Sequence, residues 1–290
     1  MSFWVKHYKL YKMLKKMGFR DPRYLLTSPH SPDLKKSIKW IKENEITDFG
    51  GFKMKLSANS SQDLWYNAFR MEGSSYEQET ISLLKANIKK TDTFIDIGSN
   101  SGYFSLSLAG LCNKVISFEP IPDAYKRLKT NIKINRFSNI KTFNVALTDK
   151  QKETTFWIDQ NNDGESSLDY EGTFKQSGMP ITVQTNTLDN ILNEDKVDII
   201  KLDAEGFESE ILKGGRKTIE KVRLIVFEQN LNIFEKKDKS IDKNIIIKFL
   251  DAHGFSIRTI NNNGSLGNEI HDYTEATGIY SNLCAIRRLG

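Results

Sequence analysis

The chain is poor in the residues that build disulfide and metal frameworks. Its 290 residues include two cysteines, Cys112 and Cys284, and four histidines. Two cysteines are too few for a disulfide framework, and their spacing fits no metal-binding motif. We therefore expect both cysteines in the core of a protein that is held together by packing.

Long apolar runs are missing as well. No run approaches the roughly 20 residues that a membrane-spanning helix needs, so we expect none. The N-terminus lacks the apolar stretch of a signal peptide because Lys6, Lys9 and Lys12 interrupt it. We expect a cytoplasmic protein. The 38% of hydrophobic residues is enough for one large domain with an appendage, or for two small domains.

Charge is unevenly distributed along the chain. The net charge is +5, yet residues 1–42 carry eleven Lys or Arg against two Asp, so the remainder is mildly acidic. Within residues 1–20, aromatic and leucine side chains at helical spacing alternate with lysines. This pattern favours a helix docked on its own domain, and it also suits peripheral contact with an anionic membrane. Because the basic residues are not spread among aromatics elsewhere, we expect no nucleic acid partner.

The remainder of the chain has the pattern of an α/β protein. From about residue 76, apolar runs such as "TFIDIG", "KVISFE", "VDIIKLD" and "RLIVFE" alternate with segments of helical spacing. Alternation of this kind predicts a parallel sheet with helices on both faces. Residues 150–187 are an insertion whose "ETTFWI" and "PITVQT" predict an added hairpin. We divide the chain into a basic helical extension, 1–43, and a larger domain, 44–290.

The segment "FIDIGSNSGYF", residues 94–104, is the first candidate for a binding site. Ligands of open α/β sheets bind where strands end, and a glycine turn lets a ligand approach the backbone beside free helix amides. Gly98 and Gly102 fit this role. Their spacing is D-x-G-x-N-x-G and not the G-x-G-x-x-G of a dinucleotide site. Glu119, 17 residues beyond Gly102, ends the next strand, where an acid accepts the hydroxyls of a ribose.

These acids favour a nucleoside with a cationic tail. A carboxylate attracts an ammonium or a sulfonium group, which is the chemistry of S-adenosylmethionine. We expect Asp96 near its aminoacyl end, Glu119 at its ribose and Asn144–Ala146 beside its adenine. The expected cofactor contacts are Asp96, Gly98, Asn100, Gly102, Glu119, Pro120, Asn144, Ala146 and Asp203.

Several segments together resemble the FkbM-type S-adenosylmethionine-dependent methyltransferases. They are "FIDIGSNSGYFSL", "VISFEPIPDAYKRLKTNIKIN", "NVALTD", "TLDNIL" and "VDIIKLDAEGFESEILKGG". The resemblance implies the class I methyltransferase fold, a Rossmann-like mixed sheet of seven strands in the order 3-2-1-4-5-7-6, with the last strand antiparallel. It also implies O-methylation of a small-molecule or glycan acceptor, most often a hydroxyl of a sugar or glycoconjugate.

Three carboxylates are candidates for the base that deprotonates the acceptor. Asp203 and Glu205 follow the strand "VDIIKLD", and Glu228 ends the neighbouring strand "RLIVFE". Neighbouring parallel strands lie about 4.8 Å apart, so Asp203 and Glu228 are expected above one crevice. Two such acids could share a proton, so that the pKa of one of them is raised, or they could bind a divalent metal. We do not expect a metal, because no dense Asp/Glu/His cluster stands out. Lys201, within the strand, is a partner for one of these acids.

Two other classes of protein stay open at this point. A nucleotide-dependent oxidoreductase would have a similar fold, but the third glycine of its fingerprint is missing. A binding module that kept the fold without catalysis would have no need of the strand-end acids, which are present. The sequence does not identify the acceptor, because the insertion and residues 261–282 are rich in Asn, Gly and Ser.

Overall fold

The computed structural model describes residues 34–159, 167–168, 178–192, 194, 196–230, 242, 244–275 and 280–288. The basic helix predicted within residues 1–20 lies outside these ranges and stays a prediction. Across the described ranges, no helix combines the length and the apolar character needed to cross a membrane.

Strands make up two larger sheets and one small hairpin. The strands are β1 (Thr47–Asp48), β2 (Lys53–Met54), β3 (Thr93–Ile97), β4 (Lys114–Phe118), β5 (Ile140–Phe143), β6 (Ala146–Leu147), β7 (Lys152–Asp159), β8 (Ser167–Leu168), β9 (Gly178–Asn186), β10 (Ile199–Leu202), β11 (Leu224–Asn230), β12 (Phe255–Ile260), β13 (Leu266–Glu269) and β14 (Tyr280–Arg287).

Helices precede and connect these strands. They are α1 (Leu34–Glu43), α2 (Ser61–Met71), α3 (Gln78–Asn87), α4 (Tyr103–Ala109), α5 (Pro122–Asn135), α6 (Leu188–Ile191), α7 (Glu208–Gly214), α8 (Arg216–Ile219) and α9 (Ile245–Ala252), with a short 3₁₀ turn at Tyr273–Glu275. The single helix predicted over "SEILKGGRKTIEKV" is thus two, because the chain is interrupted at Gly215.

The central sheet has eight strands, in the order β13-β12-β14-β11-β10-β3-β4-β5. Strands β5, β4, β3, β10 and β11 are parallel, and β14 is antiparallel to both of its neighbours. Seven of these strands follow the order 3-2-1-4-5-7-6. The expected count of seven was wrong, since β13 adds an eighth strand at the edge. Its residues, Leu266–Glu269, lack apolar alternation because this strand is only partly covered.

The insertion contains the predicted hairpin. Strand β7 pairs antiparallel with β9 from Lys152↔Thr185 to Asp159↔Gly178. The pair belongs to a second sheet of order β6-β9-β7-β8. The strand predicted over "IKTFNVAL" is divided between the two sheets. The division falls at Asn144, whose side chain donates to the main-chain oxygens of Glu119 and Pro120 at 2.8 and 3.0 Å.

Apolar side chains fill both faces of the central sheet. Along β3, Ile95 and Ile97 pack on one face with residues of α7 and α9, and Phe94 packs on the other with residues of α3 and α4. Parallel sheets with covered faces contain near-continuous apolar strands for this reason. The expected two-faced α/β fold is therefore confirmed, and the carboxyl ends of β3, β4, β10 and β11 meet at one edge.

The residues before the alternating pattern are packed onto the same body. Helices α1 and α2 pack on each other through Leu34, Ile38 and Leu64. Met54 and Tyr66 join the core beneath α3 and α4. Helix α1, which we assigned from the sequence to the extension 1–43, therefore packs on α2 of the same body, and the domain boundary at residue 44 stays a prediction.

Candidate active site

A cavity opens at the edge where β3, β4, β10 and β11 end. Its described lining contains most of the site residues predicted from the sequence, namely Gly98, Asn100, Glu119, Pro120, Ala146, Asp203, Glu205 and Glu228. Three predicted cofactor contacts, Asp96, Gly102 and Asn144, do not line it. Asn144 instead holds the turn after β4, as described above.

The turn after β3 is shaped by the protein itself. Gly98 has φ +78°, and a Cβ atom there would lie 1.8 Å from the main-chain oxygen of Asp203. Gly102 has φ +100°, and its Cβ would lie 2.6 Å from Leu128 of α5. A Cβ atom at Gly98 would overlap the main chain of Asp203, and the positive φ of Gly102 would strain any other residue. The fold itself therefore favours both glycines, whatever ligand the turn binds.

Glu119 is held in place by two main-chain amides. Its Oε2 accepts a hydrogen bond from the N–H of Asn100 and its Oε1 one from the N–H of Ile121, each at 2.8 Å. The carboxylate is buried but lines the cavity. Because each carboxylate oxygen has further lone pairs, Glu119 can still accept hydrogen bonds from a ligand.

Asp96 is a buried residue of β3 and points away from the cavity lining. Its Oδ2 accepts a hydrogen bond from Ser105 of α4 at 2.5 Å, and Ser105 lies 2.7 Å from Ser117. Burial raises its pKa above the ordinary value, while Lys201 opposes the rise. Asp96 therefore connects β3 to α4, and any effect of its charge on a ligand is exerted at a distance.

Three carboxylates that line the cavity lie close together. Asp203, Glu205 and Glu228 each offer an oxygen within 4.8 Å of the others. The expected convergence of Asp203 and Glu228 is therefore seen. The premise that no dense acidic cluster stands out was wrong, because this spacing would also suit a divalent cation. Glu205 has φ +49°, a left-handed conformation that is uncommon outside glycine and often found at functional sites.

Lys201 is the basic side chain among the described residues that line the cavity. Its Nζ lies 2.7 Å from Asp203 Oδ2 and 4.4 Å above the ring of Phe104. Burial lowers the pKa of Lys201, but the charges of Asp203, Glu77 and Asp96 outweigh burial and raise it. The predicted pairing of Lys201 with a neighbouring acid is confirmed, and its partner is Asp203.

Glu228 differs from Asp203 because no cation pairs with it in the described part of the chain. Burial raises the pKa of Glu228 well above its ordinary value, and the charges of Asp203 and Glu208 add to the effect. Burial and like charges disfavour the ionised form of such a carboxyl group, and a positive charge beside it favours that form.

Sequence reasoning missed the side of the cavity that α2 and α3 provide. Gln62 and Tyr66 on α2, and Tyr76 just before α3, line the cavity. The side chain of Gln62 hydrogen-bonds to both phenols, and burial raises their pKa values well above the ordinary one. A helix signal was present, since Ser60 caps α2 by accepting from the N–H of Asp63. Nothing in the sequence placed that helix beside the carboxylates.

Comparisons with known protein families give one match over most of the sheet domain. Residues 96–257 match the model described as the methyltransferase FkbM domain. This range, more than half of the chain, begins at Asp96 and ends in β12.

Two relatives whose names state an activity are similar to this chain over much of their length. The chain is 25% identical over 200 residues to the hexuronic acid methyltransferase AglP of Haloferax volcanii. The aligned region covers 68% of this chain and 78% of AglP. It is 29% identical over 169 residues to the 2-O-methyltransferase NoeI of Sinorhizobium fredii. That aligned region covers 52% of this chain and 67% of NoeI.

Among solved structures, the methyltransferase FkbM of Methylobacillus flagellatus KT aligns at 13% identity with a TM-score of 0.47. The alignment covers 87% of this chain and 58% of that protein. A putative methyltransferase of Streptococcus mutans in complex with SAH aligns at 12% identity with a TM-score of 0.43, covering 72% of this chain and 96% of that one.

Proposed function

Since the chain belongs to the FkbM methyltransferase family, we propose that it transfers the methyl group of S-adenosylmethionine to a hydroxyl of a sugar or glycoconjugate. Its relatives AglP and NoeI are named for hexuronic acid methylation and for 2-O-methylation. The observation that carries the proposal is the convergence of Asp203, Glu205 and Glu228 on the cavity that Glu119 also lines.

The residues of the cavity fit such a donor. Glu119 can accept hydrogen bonds from ribose hydroxyls, and Asn100, Pro120 and Ala146 also line the cavity. Three carboxyl groups and Lys201 line it as well, a balance of charge that suits a positively charged ligand. The bound donor would supply an electrophilic methyl group on a sulfonium centre. Asp96, Gly102 and Asn144 support this site by holding the elements around it.

The contribution of the chain is alignment of the acceptor and removal of its proton. Alignment of two reactants in a fixed site can supply about 7–11 kcal/mol of the barrier. Glu228 is our candidate for the base, because its pKa is raised by burial and by neighbouring acids. A cation bound beside Glu228 would favour its ionised form, the form that can accept a proton.

Asp203 and Glu205 have supporting roles in this proposal. Asp203 is paired with Lys201, whose Nζ lies 2.7 Å from its Oδ2, whereas Glu228 has no such partner among the described residues. Glu205, with its left-handed backbone, adds a second carboxylate to the lining of the same cavity. Tyr66 and Tyr76 keep their protons and can donate hydrogen bonds to a polyhydroxy acceptor.

A ligand titration tests the donor and separates it from the oxidoreductase alternative. S-adenosylhomocysteine and NADH are added separately, and the melting temperature is followed. A ligand that binds only the folded state at 100 times its Kd adds about 2.7 kcal/mol of stability. Stabilisation by S-adenosylhomocysteine alone supports the proposal, whereas stabilisation by NADH alone contradicts it.

A transfer assay tests the acceptor. The protein is incubated with methyl-labelled donor and a panel of glycans, glycolipids and small alcohols, with Glu228→Gln as the inactive reference. Label on a sugar hydroxyl with the wild type alone supports the proposal. Label found only on non-carbohydrate acceptors would leave a methyltransferase but contradict the sugar assignment. Dialysis against EDTA before the assay checks our expectation that no divalent metal is needed.

A further inference from the structure

Asp63 is a buried acid with no place in the site described so far. It lies in the first turn of α2, is fully buried, and does not line the cavity. It also precedes residue 96, where the family match begins. A buried carboxylate is costly unless charges and hydrogen-bond donors surround it, so its partners show what it holds.

The partners of Asp63 lead to the turn after β3. Its Oδ1 accepts a hydrogen bond from the hydroxyl of Ser101 at 2.5 Å. Its Oδ2 accepts one from the N–H of Ser57 at 2.8 Å and lies 3.3 Å from Nε of Arg127 on α5. Ser101 is itself fully buried, and Asn131 of α5 donates to its main-chain oxygen at 2.9 Å.

Two of these partners, Ser101 and Arg127, contact Asn100, the residue whose N–H donates a hydrogen bond to Glu119. Arg127 Nη2 lies 3.4 Å from Asn100 Oδ1, which also accepts the N–H of Ser101 at 2.8 Å. Asn100 has φ +45°, a left-handed conformation that asparagine adopts more readily than most residues, and the contacts of Arg127 and Ser101 with its side chain help to hold it. In this conformation its N–H reaches Glu119 Oε2 at 2.8 Å.

We infer that Asp63 is a positioning residue for donor binding: it holds residues 98–102, and through Asn100 the carboxylate of Glu119, in the conformation that accepts the donor. The inference rests on the proposed function for the identity of that donor. It makes α2, which lies before the family match, a necessary part of the donor site. Asp63 acts through Ser101 and Arg127 and touches no reacting atom.

Calorimetry with S-adenosylhomocysteine as the probe tests this inference on the full chain. The variants are Asp63→Asn, Ser101→Ala and the double variant, with Glu72→Gln as the control because Glu72 is an exposed acid at the end of the same helix. Hydrogen bonds to charged groups contribute enough for a change of about tenfold in Kd. We expect each single variant to weaken binding about tenfold, and the control to bind like the wild type.

The double variant separates positioning from general destabilisation. If the two residues act through one contact, the double variant binds no more weakly than the weaker single variant. Urea midpoints of the ligand-free proteins are measured in parallel, because a merely structural role lowers the midpoint and leaves Kd unchanged. Ser101→Ala removes only one hydroxyl and tests the inference even where Asp63→Asn fails to fold.

Three results would overturn the inference: unchanged Kd in folded Ser101→Ala, unchanged Kd in folded Asp63→Asn, or independent, additive losses in the double variant. Failure of the wild type to bind S-adenosylhomocysteine is a different result. It contradicts the donor proposed above, and the inference falls with it.

Discussion

Replacing Glu208 by Gln should change how stability depends on pH. Glu208 begins α7 and is 2% exposed. Its Oε1 accepts the N–H groups of Ala204 and Gly206 at 2.8 and 3.3 Å, so it shapes the turn that carries Asp203 and Glu205. Burial raises its pKa from 4.5 to about 7, against the backbone donors that lower it.

The sign and size of the effect follow from the two pKa values. An acid whose pKa is higher in the folded state binds more protons when folded, so stability falls as pH rises. The loss begins near the unfolded value of 4.5 and is complete above the folded value of about 7. One pKa unit corresponds to 1.36 kcal/mol, so Glu208 costs the folded protein about 3 kcal/mol at pH 8 relative to pH 4.

Urea unfolding followed by tryptophan fluorescence from pH 4 to 8 measures this difference. Glutamine retains an oxygen that can accept from Ala204 and Gly206 but cannot ionise. We expect the free energy of unfolding of Glu208→Gln to fall about 3 kcal/mol less than that of the wild type over this range. Glu210→Gln, in the same turn, controls for the loss of a negative charge. Equal pH dependence in Glu208→Gln and the wild type would refute the reasoning.

Three further outcomes are expected. Glu228→Gln should lower the rate of methyl transfer by about 10²–10⁴-fold, the loss expected for a base, with little change in affinity for S-adenosylhomocysteine. Turnover at the wild-type rate, or the same loss in the exposed control variant Glu43→Gln, would contradict this role. Gly98→Ala should abolish S-adenosylhomocysteine binding and lower the urea midpoint, because its Cβ would lie 1.8 Å from the oxygen of Asp203; unchanged binding calorimetry would contradict the described turn. Deletion of residues 1–20 should reduce sedimentation with anionic vesicles, and unchanged sedimentation would remove the membrane role proposed from sequence.

The carboxyl-end residues were predictable because strand pattern and strand position are local properties. An apolar run that ends in an acid places that acid at the edge of a parallel sheet. Glu119 and Asp203, which directly follow β4 and β10, line the cavity for this reason. Glu228 lines it too, but the expectation that it ends its strand was wrong, since β11 continues to Asn230. Asp96 follows the same pattern but occupies the interior of β3, where Ser105 takes its carboxylate.

The tertiary structure adds a constraint on the two glycines that the sequence did not show. From sequence, Gly98 and Gly102 were attributed to the approach of a ligand. In the fold, the oxygen of Asp203 and the side chain of Leu128 already occupy the space that a Cβ atom would need. The main chain of Asp203 is sufficient to require Gly98, and the positive φ of Gly102 favours glycine there. The sequence alone shows neither of these constraints.

The sequence by itself determined the α/β class, the position of the binding edge and the acids along it, because periodicity and strand ends are set by residues close together in the chain. Only the tertiary structure decided which acids lie together in the cavity, which lysine pairs with Asp203, and that residues of α2 line the cavity. Burial, charge separation and the contact of Asp63 with Ser101 depend on residues far apart in sequence, whose distances exist only after the chain has packed.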